Sequence, residues 1–231
     1  MDAEEFLKGV NLFQCLNDEE CRILAASLKK RSLKRGEYIF RKGDEGNCLY
    51  IIQKGRIKIT LLSERGEEVI PALLSKGECF GEMALLDGMD RSADAIALED
   101  SELYSLSRND FISFLHQHKE AIAAVMAFLS TRLRKTDGLL ADLCFLSVPE
   151  RLAKRLAAIA EEYGPLINAT DSIEIPMAIT QTDLANLVGT SRETINRELK
   201  TLKEAGIIDF ERTRIRIHNL EKLKQRYRTT A

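Results

Sequence analysis

The sequence lacks the features of a membrane or secreted protein. No apolar run approaches the length of about 18 residues at which a hydrophobic stretch becomes a candidate membrane-spanning helix. The chain starts with the acidic sequence Met-Asp-Ala-Glu-Glu, and no apolar stretch of the kind found in signal peptides follows it. We therefore expect a cytoplasmic protein with no membrane partner.

Cysteine pairs and catalytic motifs are also missing. The five cysteines are odd in number and scattered, and no two of them have Cys-x-x-Cys spacing, so we interpret them as reduced thiols. No nucleophile–base grouping, metal-ligand motif or Walker loop occurs in the sequence. We therefore expect no catalytic residues, no metal site and no enzymatic activity.

What the chain does have is an uneven distribution of charge. Its 231 residues suffice for one large domain or two small ones, and 30% charged residues is ordinary for a globular protein. The net charge is −2, yet residues 191–231 contain eleven Lys or Arg and six Asp or Glu, so this end carries +5 and the remainder −7. A basic C-terminal end on an acidic protein indicates a localised contact with a polyanion.

The hydrophobic pattern changes along the chain. Residues 1–30 have a helical pattern, and residues 108–146 have another. Between them, from residue 33 onward, short β-type runs separated by glycine turns predict a barrel or jelly-roll sheet. The runs are Tyr38-Ile39-Phe40, Leu49 to Ile52, Arg56 to Leu61, Val69-Ile70 and Leu103 to Leu106.

One segment of this sheet region predicts a ligand site. Residues 80–93 read Phe-Gly-Glu-Met-Ala-Leu-Leu-Asp-Gly-Met-Asp-Arg-Ser-Ala. A glycine followed by helix-forming residues presents free N–H groups that suit a phosphate, and Arg91 adds a planar fork of donors. Glu82 would repel a phosphate, so a sugar hydroxyl is a better partner for it. The ligand implied is a nucleotide, most simply a cyclic one. The alternative is a hairpin with a surface ion pair between Glu82 and Arg91.

The same segment resembles the phosphate-binding cassette of cyclic-nucleotide-binding domains. The family pattern is Gly-Glu, an apolar step, a short loop, then Arg-Ser/Thr-Ala, and every fixed position matches. The resemblance implies that Glu82 binds the ribose 2′-hydroxyl and that Arg91, Ser92 and the Ala93 N–H bind the cyclic phosphate. Gly81 and Met83 complete the implied contacts, and the loop before Arg91 is one residue shorter than in the enterobacterial members.

The second helical region has a heptad pattern. Apolar residues alternate four and three apart, which predicts a parallel homodimeric coiled coil, although a single helix lying on its own domain is the alternative. The seam consists of Ile122, Met126, Leu129, Leu133, Thr136, Leu140 and Leu143. The segment from Arg132 to Asp137 resembles the part of the family's central helix that reaches the adenine base. Thr136 matches the family there, whereas Asp137 replaces a serine that reaches across from the partner subunit.

The C-terminal region predicts a DNA reader. Residues 179–202 have the pattern of a helix-turn-helix, in which Thr180 and Asp183 form a capping box, Gly189 permits the turn and Ser191 caps the second helix. Residues 206–217 then predict a two-stranded wing with three arginines for phosphates. The polar residues left to project from the second helix suit a major groove.

The string Gly-x-Ser-Arg-Glu-Thr-Ile-x-Arg resembles the recognition helix of the cyclic AMP receptor protein/FNR family, and the likeness covers essentially the whole chain. It implies an α+β fold: a cyclic-nucleotide-binding β-roll (jelly-roll) at 1–119, a dimerisation helix at 120–146 and a winged helix-turn-helix at 147–231. It also implies half-sites similar to TGTGA on double-stranded DNA and RNA polymerase as a partner. The implied DNA-binding residues are Thr180, Ser191, Arg192, Glu193, Asn196, Arg197 and Lys200.

The effector implied is cyclic AMP (cAMP). Cyclic GMP (cGMP), another cyclic nucleotide or the redox state of the cysteines are the alternatives. Family relatives that sense through an iron–sulfur cluster or haem fit less well. Only Cys15 and Cys21 lie near the N-terminus, and no histidine falls in a predicted strand of the β-roll.

Overall fold

A computed structural model describes residues 3–14, 16–164, 166–167, 172–175 and 177–228. The chain divides into two compact units. The first consists of residues 1–67 and 71–136, and the second consists of residues 137–231 with the short stretch 68–70. Among the described residues, no helix is long and apolar enough to cross a lipid bilayer.

The first unit is a β-roll flanked by helices. One sheet has the strand order β1-β8-β3-β6 and the other β2-β7-β4-β5. The strands are β1 (Lys29–Leu33), β2 (Tyr38–Phe40), β3 (Cys48–Lys54), β4 (Ile57–Leu62), β5 (Glu68–Leu74), β6 (Cys79–Phe80), β7 (Asp94–Ala97) and β8 (Ser101–Ser107). The helices are α1 (Ala3–Lys8), a 3-10 turn (Asn11–Phe13), α2 (Asp18–Ser27), α3 (Glu82–Asp87), α4 (Arg108–Gln117) and α5 (Lys119–Phe145).

Two hydrophobic clusters hold this unit together. One lies between the β-roll and the helices and includes Phe13, Tyr104 and Phe111, all fully buried. The other fills the space between the two sheets, around Ile52 and Phe80. Successive residues of β3 point to opposite faces of the sheet, so Leu49 and Ile51 enter the first cluster while Tyr50 and Ile52 enter the second.

The structure differs from the predicted elements in three places. The N-terminal helical region ends at Ser27, and a strand begins at Lys29 rather than after residue 33. Strand β1 carries three basic residues and pairs on one side only, with β8, so its sequence lacks the apolar alternation of a strand buried on one face. The helix predicted over 108–146 is interrupted at His118, whose extended backbone separates α4 from α5. Strands β6 and β7 have no counterpart in the sequence prediction.

The second unit is a winged helix. It contains α6 (Val148–Tyr163), β9 (Leu166–Ile167), β10 (Ser172–Glu174), α7 (Gln181–Val188), α8 (Arg192–Glu204), β11 (Ile208–Glu211), β12 (Arg214–Ile217) and α9 (Leu220–Arg228). Helix α6 begins at Val148 and Ser147 caps it: the Ser147 N–H donates to the Glu150 carboxylate at 2.7 Å. Its buried face includes Leu152, Leu156 and Ile159. The dipeptide Gly164-Pro165 predicts from the sequence that this helix stops there, and Pro165 lies outside the described residues.

Candidate nucleotide site and DNA-binding interface

The predicted cassette begins with a tight backbone turn. Gly81 has a φ of 79°, in the left-handed region that favours glycine, and helix α3 starts at the next residue. A Cβ atom at Gly81 would lie 2.7 Å from Nη1 of Arg91, so any other residue there would displace the guanidinium. The predicted arrangement of a glycine followed by a helix is therefore present, and it packs directly on the arginine that closes the cassette.

Arg91 is a buried cation without a counter-ion among the described residues. Its side chain is 4% exposed. Its Nη1 donates to the Gly81 carbonyl and its Nη2 to the Cys48 carbonyl, both at 2.6 Å, and its guanidinium lies 4.3 Å from the centre of the Phe40 ring. Nε has no hydrogen-bond partner among the described residues, and no carboxylate there lies within ion-pair distance. A buried charge needs compensation, so this geometry favours an anionic ligand.

Glu82 is a buried carboxylate with one oxygen occupied. It is 2% exposed, and its Oε1 accepts from Nη1 of Arg132 at 2.6 Å. Its Oε2 is buried and has no partner in the described part of the chain. The alternative ion pair between Glu82 and Arg91 does not occur. Glu82 keeps a free acceptor for a hydroxyl, and Arg132 on α5 balances its charge.

The cassette residues line one open pocket. The six predicted residues Gly81, Glu82, Met83, Arg91, Ser92 and Ala93 all line it, together with Phe40, Ile59, Phe80, Ala84 and Arg132. The Ser92 hydroxyl is 3.8 Å from the Met83 sulfur, so it is not held by a strong acceptor. The pocket therefore combines a cation, a hydroxyl donor, a carboxylate and apolar walls.

The two predicted base-binding residues do not line this pocket. The Thr136 hydroxyl donates to the Arg132 carbonyl at 3.0 Å, one helical turn back along α5. Thr136 and Asp137 are both exposed. Their contact with a base stays a prediction for the liganded protein.

Sequence reasoning does not identify the other five pocket residues as ligand-binding, and Arg132 is the charged one among them. Arg132 lies 50 positions from Glu82, and no local motif connects the two. Its position one turn before Thr136, on the helix already predicted to approach the ligand, is the signal that could have identified it.

Arg132 is expected to stabilise the folded state through Glu82. Because breaking a buried ion pair leaves a charge uncompensated, Arg132→Met should lower the free energy of unfolding by about 2 kcal/mol. This figure is below the usual range for a fully buried pair, since Arg132 is a third exposed. Urea unfolding should also show that the double variant Glu82→Gln/Arg132→Met recovers most of the stability. A double variant as unstable as Arg132→Met would contradict the pairing.

Cys79 is a buried thiol close to the pocket. Cys79 is buried near Glu82, and burial raises the pKa of its thiol far above the ordinary value, with the Glu82 charge adding to the effect. The thiol is therefore protonated at neutral pH and a poor redox sensor. In the ranges described, no three His, Cys, Asp or Glu side chains gather in a way that could hold a metal ion.

The helix-turn-helix forms as the capping residues predict. The Thr180 hydroxyl accepts from the Asp183 N–H at 3.0 Å, and the Asp183 carboxylate accepts from the Thr180 N–H at 3.1 Å. Gly189 ends α7 with a φ of 72°, and the Ser191 hydroxyl accepts from the Thr194 N–H at 3.2 Å, which caps α8. The hydroxyls of Thr180 and Ser191 are thus engaged in caps, and their contact with DNA stays a prediction.

Helix α8 presents one apolar and one polar face. Ile195, Leu199 and Leu202 are buried. The five predicted DNA-binding residues of this helix lie outside the buried face and are all exposed: Arg192, Glu193, Asn196, Arg197 and Lys200. The family resemblance implies base reading by Arg192, Glu193 and Arg197. The Arg192 Nε points back to the Gln181 side chain at 3.4 Å. Arginine, glutamate and asparagine at this position can read guanine, cytosine and adenine edges.

The wing follows α8. Strands β11 and β12 pair antiparallel through a two-residue turn in which Arg212 has a φ of 52°. The three predicted wing arginines, at 212, 214 and 216, project from this hairpin, and Arg216 lies 3.4 Å from the Glu174 carboxylate. Arginines beside a recognition helix suit contacts with the phosphate backbone.

Comparison with known proteins agrees with both parts of the site. The cyclic nucleotide-binding domain family model matches residues 30–118, and the Crp-like helix-turn-helix domain matches residues 150–226. A CRP-like cAMP-activated global transcriptional regulator of Mycobacterium tuberculosis is 30% identical over 225 residues, covering 97% of this chain and 100% of the relative. The chain belongs to the CRP/FNR family.

Other CRP/FNR proteins extend the likeness. The cyclic AMP receptor protein of Thermus thermophilus is 36% identical over 203 residues, covering 87% of this chain and 89% of the relative. The solved structure of the c-di-GMP responsive global regulator CLP of Xanthomonas campestris covers 88% of this chain and 100% of its own, with a TM-score of 0.75 at 23% identity. That identity supports the shared fold alone.

Membership in the CRP/FNR family makes this chain a DNA-binding transcription regulator with a cyclic nucleotide-binding domain. The family and fold class predicted from the sequence are thereby confirmed.

Proposed function

We propose that the chain is a homodimeric transcription regulator that cAMP switches to a state of high affinity for TGTGA-like palindromes. The observation that carries this proposal is the buried Arg91, which lacks a counter-ion among the described residues, in a pocket where the Glu82 carboxylate also has a free oxygen. A singly charged phosphate beside a ribose hydroxyl satisfies both groups at once. The residues present therefore fit a cyclic nucleotide.

The phosphate and ribose roles follow from the donors and acceptors available. Arg91 supplies the cation, the Ser92 hydroxyl turns from the weak Met83 acceptor to a phosphate oxygen, and the Ala93 N–H donates beside it. The free Oε2 of Glu82 accepts from the ribose 2′-hydroxyl, while Arg132 continues to balance its charge.

The choice of cAMP over cGMP rests on Thr136 and Asp137. Adenine presents an amino group as donor at the position where guanine presents a carbonyl acceptor. The Asp137 carboxylate can only accept when ionised, so it favours the adenine amino group. In the proposed dimer, the Asp137 that contacts the base belongs either to the subunit that holds the nucleotide or to its partner.

The proposed dimer interface is the heptad seam of α5. Met126, Leu133 and Leu140 are each more than 60% exposed in the single chain, and Ile122 and Leu143 are also exposed. Leu129, also on the seam, is half-buried against the core of the first unit. An exposed apolar stripe along a long helix favours a protein interface. A second copy of α5 in parallel register covers it and places two recognition helices on a palindrome. RNA polymerase is the proposed partner of the DNA-bound dimer.

Arg192 is expected to determine one base of the half-site. Replacing it by alanine should relax discrimination at one guanine by about 1–3 kcal/mol, measured as relative affinity for operators with single base changes. The wing variant Arg214→Ala is the control. Removing a phosphate contact in this way should weaken binding to all sequences alike and lower the salt slope of binding by about one unit. Equal weakening of every operator by Arg192→Ala would contradict its base-reading role.

Calorimetric titration of the purified chain tests the effector. We expect cAMP to bind once per subunit and more tightly than cGMP or c-di-GMP. If another cyclic nucleotide binds more tightly than cAMP, that nucleotide is the effector and the proposed binding site still stands. No heat with any of them, in protein that still binds DNA, would overturn the cyclic-nucleotide proposal and leave the DNA reader in place.

A further inference from the structure

The last turns of α5 pack against the DNA reader within the second unit. A Cβ atom on Gly189, in the turn between α7 and α8, would lie 3.1 Å from Cδ2 of Leu143. The Lys154 ammonium on α6 pairs with the Asp142 carboxylate on α5 at 2.5 Å. The end of α5 from residue 137 onward therefore belongs to the same compact unit as the helix-turn-helix.

Arg151, in the first turn of α6, connects these elements with one side chain. Its Nη1 donates to the Leu146 carbonyl just after α5 at 2.7 Å, and its Nε donates to the Val188 carbonyl at the end of α7 at 2.9 Å. Its Nη2 makes a longer contact, 3.5 Å, with the Gly189 carbonyl. Carbonyls at helix C-termini have no partner within the helix, and a cation there is favourable. The guanidinium thus caps two helix ends together.

The location of these carbonyls matters for DNA reading. Gly189 lies two residues before Ser191, the cap of α8, and Arg192 and Glu193 follow in its first turn. N-terminal residues of a recognition helix are the ones that contact base edges. A shift of the α7–α8 turn therefore shifts the base-reading side chains. Lysine cannot replace the guanidinium here, because a single ammonium lacks the fixed fork that reaches carbonyls in two directions.

We propose that Arg151 is a positioning residue. By bonding carbonyls at the end of α5 and at the end of α7, it makes the position of the recognition helix α8 depend on the position of the end of α5. The role in regulation rests on the proposed function, in which cAMP acts on α5. The role in DNA reading does not depend on an effector. Arg151 contacts neither the nucleotide pocket nor the base-reading face of α8, so it acts through the carbonyls that it holds.

Arg151→Lys tests the proposal, with Arg155→Lys as a matched control. Arg155 lies one turn further along α6, is also partly buried and donates no hydrogen bond to a described residue of α5 or α7. Its charge interacts with the Asp142 carboxylate on α5, and lysine keeps that charge. The full-length proteins are compared for cAMP affinity without DNA, for operator affinity with and without cAMP, and for affinity to unrelated DNA. Thermal unfolding is recorded for each, and all binding is measured well below the lower melting temperature.

Arg151→Lys should leave cAMP affinity and affinity for unrelated DNA unchanged. It should lower both the cAMP-induced gain in operator affinity and the ratio of operator to unrelated DNA binding by at least about fivefold, the lower end of ordinary coupling. Arg155→Lys should change neither. If folded Arg151→Lys keeps both the cAMP-induced gain in operator affinity and the ratio of operator to unrelated DNA binding, the proposal is overturned. If the wild-type chain shows no cAMP-induced gain in operator affinity, the proposed function is contradicted. The ratio of operator binding to unrelated DNA binding would then decide the role of Arg151.

Discussion

Replacing Arg91 by leucine is expected to weaken cAMP binding at least about 100-fold in calorimetry. Each hydrogen bond to a charged group contributes about 1.5–3 kcal/mol, and without the guanidinium the phosphate has neither the bonds nor the charge. The pocket offers no second cation among its described residues that could replace Arg91, because Arg132 already pairs with the Glu82 carboxylate at 2.6 Å.

The controls separate ligand binding from folding. Arg91 also holds the carbonyls of Gly81 and Cys48, so the leucine variant lacks two hydrogen bonds within the fold. Arg91→Lys keeps a cation but not the fork, and it should bind cAMP with an affinity between those of the wild type and the leucine variant. DNA binding without effector checks that the reader is intact. If Arg91→Leu binds cAMP as tightly as the wild type, Arg91 does not bind the phosphate and the proposed binding mode is wrong.

The double variant Leu133→Asp/Leu140→Asp is expected to make the protein monomeric. Burying one leucine side chain contributes about 1.5–3 kcal/mol, and a dimer contains four of these leucines, so the association free energy should fall by about 6 kcal/mol or more. Both side chains are more than 60% exposed in the single chain, so the folded monomer should survive the change. Sedimentation equilibrium measures the shift.

A matched control is available on α2. Ile23 is about as exposed, at 61%, and lies outside the seam, so Ile23→Asp should leave the association constant unchanged. Loss of the dimer should also weaken binding to a palindrome by about 100-fold or more, since the two half-sites are no longer bound by linked readers. A stable dimer in the double variant would place the interface elsewhere.

Most of the candidate site is predictable from the sequence because it depends on interactions between residues that are close in sequence. Gly81 and Arg91 are determined by backbone conformation and by the need for a planar donor, and both lie where the motif predicts. The caps at Thr180 and Ser191 are likewise short-range, because each hydroxyl bonds a backbone N–H three residues later. Features that depend on neighbours in sequence are the ones that the sequence reveals.

Features that depend on tertiary contacts are not predictable in this way. The partner of Glu82 is Arg132, which only the packing of α5 brings near. Strand β1 is rich in lysine and arginine and its pattern does not mark it as a strand, because its pairing with β8 determines its conformation. The three carbonyls that Arg151 holds come from elements up to 38 positions away.

The energy that the proposed switch needs is modest. Moving a two-state equilibrium from 1:99 to 99:1 takes about 5.5 kcal/mol of differential affinity. Two cAMP molecules per dimer share that requirement at under about 3 kcal/mol each, within the usual range of coupling free energies. No single contact in the pocket has to supply the whole amount.

Operator binding measured with and without cAMP tests the central claim most directly. Fluorescence anisotropy of a labelled duplex with two TGTGA-like half-sites, at one fixed salt concentration, gives both dissociation constants for the full-length chain. The account predicts that saturating cAMP lowers the dissociation constant at least about tenfold and leaves binding to unrelated DNA unchanged. Equal operator affinity with and without cAMP, in protein shown by calorimetry to bind it, would contradict the account.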